Sequence, residues 1–341
     1  MRNPIDNQTP FACEPLALAD EEGRPLLLVV VKATYVLGSG PLRLADEQVP
    51  VNIAGEYWGK PDESSYRYEP ECALFKPATD VVLVGHAHAA EQNTTSLLVS
   101  LKVGTLQKSV RVVGERVWFK SMGSISMTQP LVFEKLPLRY ERAFGGWDRS
   151  HPEPARHTFE PRNPVGVGFR ASPRNFEEEL RLPNLEEPDH PVRQFGQVVP
   201  PAGFGFISPH WQPRTAFAGT YDDAWRKQRM PRLPKDFDRR YFNAASPGLV
   251  APGYLKGGEP VTVLNASPRP LSFALPTQSP EVKAVLAFAG DSWVEMKLDT
   301  CIIDTDIERV MLLWRGSVVL KDGPDDVLEL SISTSTPVGL S

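Results

Sequence analysis

The side chains in this sequence that could do chemistry are its histidines and several close pairs of aspartates. His86 and His88 stand two apart, so a strand would put both on one face. Two ligands are half of the tetrahedral set a structural zinc needs. His151, His157, His190 and His210 are scattered, with no carboxylate at a metal-site spacing. The aspartate pairs are Asp222-Asp223, Asp236 with Asp238, and Asp304 with Asp306. Paired carboxylates can hydrolyse glycosides or hold a divalent ion. Aspartate is also the common residue of turns and caps. Asp222 opens a predicted helix, and Asp236 and Asp238 share a loop with Arg239 and Arg240. There is no Gly-x-Ser-x-Gly elbow and no glycine pattern for phosphates or dinucleotides. Cys301 lies among Ile302 and Ile303 and reads as buried filler. The expectation is a protein without a catalytic site, metal or cofactor.

A second constellation suits binding better. Arg142, Phe144, Trp147, Asp148, Trp211, Arg214, Tyr221, Asp222, Trp225, Arg229, Asp236 and Asp238 are the partner-binding candidates. Arg, Trp and Tyr among them are the types enriched in binding hot spots. All lie between residues 142 and 243, in a stretch dense in Pro, Gly, Trp, Arg and Asp with almost no helical or strand period. So long an irregular stretch is functional or disordered. Recurrent aromatics argue against disorder, leaving ordered loops on a scaffold, where recognition usually resides. The competing reading of each residue is that it staples these loops down.

The scaffold reads as mainly β: an antiparallel, sandwich-like arrangement in one body or two lobes. Expected strands include Phe11–Leu18, Leu26–Leu37, Asp80–Ala90, Ser96–Val103, Ser109–Lys120 and Leu131–Tyr140. After the centre come Pro260–Leu264, Leu271–Leu275, Glu281–Ala289, Trp293–Leu298 and Ile307–Leu320, the last broken at Gly316. Leu26 to Val31 is apolar at every position and should be covered on both faces. Hairpin connections fall at Asp20–Pro25, at Gly104–Lys108 and at Gly290-Asp291-Ser292. Short helices fit Asn175–Leu180 and Asp222–Arg229, the latter capped by Thr220 or Asp222 and followed by Pro231. The chain thus divides into an N-terminal β lobe (1–140), a loop-rich insert (141–245), strands completing the scaffold (246–330) and a polar tail (331–341).

The 341 residues carry 41% hydrophobic and 23% charged side chains, an ordinary globular balance. The 34 prolines are about twice the usual share and oppose long helices. A net charge of −5 gives no basic footprint for nucleic acid. Three scattered cysteines make no disulfide framework. Neither a signal-peptide h-region nor a membrane-length apolar run is visible, so a cytoplasmic protein without membrane or small-molecule partners is expected.

Glu141-Arg142-Ala143-Phe144-Gly145-Gly146-Trp147-Asp148, Asn163-Pro164-Val165-Gly166-Val167-Gly168-Phe169, Leu182-Pro183-Asn184, Gly219-Thr220-Tyr221-Asp222-Asp223-Ala224-Trp225 and Pro234-Lys235-Asp236-Phe237-Asp238 resemble the hallmark segments of the family catalogued as domain of unknown function 2169. Lys76-Pro77-Ala78-Thr79-Asp80, Leu298-Asp299-Thr300 and Trp314-Arg315 agree with it. The family is similar to accessory proteins of bacterial type VI secretion clusters. The resemblance implies an adaptor or chaperone that holds an effector toxin, or a PAAR or VgrG spike protein, and helps load the effector. It supplies no catalytic residue. The alternative from the residues is a carbohydrate- or cell-wall-active β protein using Asp222, Asp236 and Asp238.

Overall fold

A computed structural model describes residues 5–334 apart from 173, 175, 177 and 178. It is mainly β, with several mostly antiparallel sheets. The largest has the spatial order Ala12–Ala19, Pro25–Val36, Arg309–Val319, Lys297–Asp304, Asp80–Val84. Its long strand Pro25–Val36 pairs with Ala12–Ala19 on one side and Arg309–Val319 on the other. Leu27 to Val31 are fully buried, as an unbroken apolar run requires. The strand Asp80–Val84 lies parallel to Lys297–Asp304, so strands from early and late in the sequence complete one sheet. Its outer edge is closed by the central segment and the residues just after it: Leu83 donates to the Phe204 carbonyl and Val81 to that of Leu249. A second sheet contains Ser96–Val103 and Leu106–Val113, flanked by Leu185–Glu186 and by Pro260–Leu264 with Leu271–Ala274. A third sets Ile5–Asn7, Val327–Thr334, Pro280–Leu286 and Gly290–Val294 side by side. Their inward side chains join one apolar core. A smaller core around Trp118, Phe144 and Leu182 underlies the central loops.

Several expected elements differ. The hairpin after Pro280–Leu286 turns at residues 287–289, and Gly290-Asp291-Ser292 already belongs to the returning strand Gly290–Val294. Gly316 does not interrupt Arg309–Val319; it pairs with Val29. The expected strands Asp80–Ala90 and Ser109–Lys120 are each divided, at Gly85 and at residues 114–116. Leu131–Tyr140 contributes only Lys135–Pro137. Of the expected helix Asn175–Leu180, Glu179 and Leu180 are in a strand paired with Val117–Ser121; residues 175, 177 and 178 lie outside the described residues. Ser331 to Thr334 are strand and not tail, because Pro280–Leu286 and Ile5–Asn7 pair with them; residues 335–341 lie outside the described residues. The helix Asp223–Gln228 forms as expected.

Candidate functional site

The sequence motifs of the central segment interlock. The first cluster joins Glu141–Asp148, Asn163–Phe169 and Leu182–Leu185. Phe144–Gly145 runs parallel to Val167–Gly168. Asn163 is fully buried, and its amide donates to the Tyr140 carbonyl at 2.8 Å and the Phe144 carbonyl at 3.0 Å. Backbones approach so closely here that side chains are excluded. A Cβ on Gly145 would stand 2.1 Å from the Asn163 carbonyl oxygen, and one on Gly146 2.2 Å from that of Gly166. Both glycines also hold positive φ, +150° and +91°, which L side chains rarely adopt. Arg142 pairs with Glu115 and reaches Asn184 at 3.3 Å, while Asn184 returns a hydrogen bond to the Val113 carbonyl at 2.9 Å. Buried Asp148 accepts from the Ser150 and Ala171 amides at 3.0 and 2.9 Å.

This knot carries an exposed edge. Trp147 and Phe159 are each 41% exposed, and their rings lie 4.6 Å apart. Arg149 sits over the Trp147 ring at 5.4 Å. Beside them opens a cleft of about 640 Å³, its lining including Gly146, Gly166, Arg149 and Arg170 together with Asp62 and Glu63. The segment carrying Asp62 and Glu63 is tied to the knot: the Glu141 carboxylate accepts from the Ser65 amide at 2.7 Å and its hydroxyl at 2.9 Å.

The second cluster joins Gly219–Trp225 to Pro234–Asp238 around the helix Asp223–Gln228. Asp222 is its cap, accepting from the Trp225 amide at 2.7 Å. Asp236 accepts from the Thr220 amide and hydroxyl at 3.0 and 2.7 Å. Gly219 has φ +77°, and a Cβ there would meet Pro234 at 2.9 Å. Asp238 caps the turn Arg239–Phe242 and pairs with Arg240 at 2.5 Å. Arg229 ties the helix to Glu22 at 2.7 Å, on the Asp20–Arg24 hairpin turn. Exposed Tyr221 packs edge-on against Trp225, ring centroids 4.7 Å apart. Thr220, Asp222, Trp225, Arg229 and Asp236 line a separate cleft of about 550 Å³.

The aspartates of this cluster therefore serve as caps and staples. Hydrogen bonds from Thr220 hold the Asp236 carboxyl below its usual range, and those from Arg240 do so for Asp238. A depressed folded pKa means stability present above the unfolded value, about 3.9, and lost as pH falls through the folded one. Asp236→Asn is accordingly expected to lower the melting temperature at pH 7, with the gap closing as pH drops below about 4. A gap of constant size across that range in thermal melts would show that the charged carboxylate is not the tie.

The remaining candidates are interior. Trp211 is 1% and Arg214 5% exposed; they cannot form an exposed face, and Phe144 and Asp148 are equally enclosed. Arg214 belongs instead to a buried ionic network that no single sequence motif marks. Its guanidinium meets Glu69 at 2.6 Å; Lys76 lies 3.4 Å from Glu69 and 2.7 Å from Asp80. Arg315 meets Asp299 at 2.7 Å. Three cations balance three anions. Burial pulls the Lys76 ammonium down, but Asp80, Glu69 and Asp299 together hold it above its usual range. Burial raises the Asp299 carboxyl against the pull of Arg315 and Lys76. The signal was present: Lys76, Asp80, Asp299 and Arg315 are charges in or beside apolar strands, and buried charges come paired.

His86 pairs with Asp306 at 2.8 Å. Asp304 is buried, accepts from Tyr68 and caps the following turn through the Asp306 and Ile307 amides. Among the described residues no group of three or more His, Cys, Asp or Glu could hold a metal. None of their helices is long and apolar enough to cross a membrane.

A family model described as an uncharacterized protein conserved in bacteria, domain of unknown function 2169, matches residues 22–315. The chain belongs to this family. No curated protein and no solved structure matches it. The domain of unknown function 2169 match takes in both interlocked clusters and the whole ionic network. It leaves out the paired end strands Ile5–Asn7 and Val327–Thr334.

Proposed function

We propose that the protein is a non-enzymatic adaptor or chaperone of bacterial type VI secretion, holding an effector toxin, or a PAAR or VgrG spike component, and promoting effector loading. The observation that carries a binding role is the Trp147–Phe159 pair, exposed beside a cleft on a closely packed, hydrogen-bonded floor. A rigid aromatic anchor loses little freedom on binding and is the usual centre of a protein interface. The type VI assignment is drawn from the resemblance of the motifs. Asp222, Asp236 and Asp238, on which a carbohydrate-active reading would depend, are engaged in holding loops.

Trp147→Ala is the direct test. Its folding stability is expected to fall by about 1 kcal/mol or less, because the ring is at the surface. Its affinity for the product of a neighbouring effector or spike gene is expected to fall about 30-fold or more, a hot-spot loss. Co-purification followed by calorimetry reads the second quantity and thermal melting the first. Undiminished binding, or binding lost only through melting, would overturn the assignment of this surface.

A further inference from the structure

We infer that the cleft beside Trp147 receives an extended peptide segment of the partner in which an acidic side chain adjoins an apolar one. The inference rests on the binding role proposed above and adds the chemistry of the occupant. Its first support is unspent positive charge. Arg142, Arg156 and Arg162, in the same loops, have carboxylate partners. Arg149 and Arg170 make no ion pair among the described residues, yet both line the cleft. Among the described residues the buried Arg170 Nε has no hydrogen-bond partner, while its Nη1 donates to the Phe169 carbonyl at 2.9 Å. Two guanidinium groups in the lining of one cleft, one of them partly desolvated, favour a carboxylate ligand.

The second support is the aromatic pair. Trp147, backed by Phe159, offers an apolar ring next to those guanidinium groups. An apolar side chain laid on it would be adjacent to the acid in the same segment. The acidic residues of the lining set a polarity. Glu63 has Lys60 at 3.7 Å, but Asp62 makes no ion pair among the described residues. A bound segment therefore keeps its acid on the arginine side and presents neutral or basic residues toward Asp62. The volume, about 640 Å³, holds a few side chains and not a folded domain, within the range of small-ligand pockets.

The test is selection of random short peptides displayed on phage against the full chain, its Arg149→Glu/Arg170→Glu variant and its Asp62→Lys variant. The wild type is expected to enrich peptides with an acid beside an apolar residue. Charge reversal should reduce capture of those peptides about tenfold or more and favour basic ones; Asp62→Lys should remove any preference for a basic neighbour. Arg149→Glu alone, at an exposed position, should show the same trend if the double variant folds poorly. A wild-type selection that is basic or without pattern, or the same peptides captured by the reversed variant, would overturn the inference. Acidic–apolar peptides selected by a protein that binds no effector or spike component would leave the cleft chemistry standing and remove the secretion role. Effector binding untouched by charge reversal would do the opposite.

Discussion

Arg214→Met is expected to destabilise the protein by about 3–5 kcal/mol, the usual result of removing one partner from a buried ion pair. The side chain is 5% exposed, and its Nε and Nη1 are both engaged. It meets Glu69 at 2.6 Å, donates to the Ile207 carbonyl at 2.7 Å and to the Tyr241 carbonyl at 2.9 Å. Without it the enclosed network holds two cations against three anions, and Glu69 keeps only the longer contact to Lys76. The double variant Arg214→Met/Glu69→Met restores the balance and is expected to recover much of the loss, since apolar replacement of a whole buried pair is often neutral. Urea denaturation of the four proteins in the cycle measures the coupling. A single variant as stable as wild type would mean that the network is open to water. Loss of partner binding by Arg214 variants is, on this geometry, a consequence of unfolding.

Gly145→Ala should be nearly as damaging, about 3 kcal/mol. The added carbon meets the Asn163 carbonyl oxygen at 2.1 Å and the Asn163 side chain at 2.9 Å. The backbone conformation alone costs a non-glycine residue about 1–3 kcal/mol. Displacing Asn163 also strains its two hydrogen bonds, each worth about 1 kcal/mol. Gly38→Ala is the control, because nothing lies within 4 Å of a Cβ there and its φ is not positive. The Gly145 variant is expected to melt earlier and to lose peptide capture with it, whereas Trp147→Ala should lose capture alone. Equal stability of the two glycine variants would show that the loops can part.

The hairpin Ala12–Ala19 with Pro25–Val36 was legible, because apolar runs and intervening turn residues are local signals; the hairpin after Ser96–Val103 was legible in part, since the turn expected over Gly104–Lys108 is shorter and its returning strand already begins at Leu106. So was the Asp222 cap. The pairing of Asp80–Val84 with Lys297–Asp304 was not, since no local pattern names a partner some two hundred residues away. Nor were the two-residue ladders such as Phe144–Gly145 with Val167–Gly168, which are too short to establish a period. Residue type alone picked out Trp147 and Tyr221, which are exposed, together with Trp211 and Arg214, which are not. Arg and Trp serve both interiors and interfaces, and only burial separates the two uses. Arg149, Phe159 and Arg170 went unnoticed because their value comes from standing near Trp147, not from their own surroundings in the chain.

Ile5–Asn7 and Val327–Thr334 run in the same direction side by side. Tension drawing residue 5 away from residue 334 would thus act along both strands in opposite senses. It would load the hydrogen bonds of the short ladder together, as shear, and not peel them one after another. Outside the family match, these two strands form a clasp across which such traction would act.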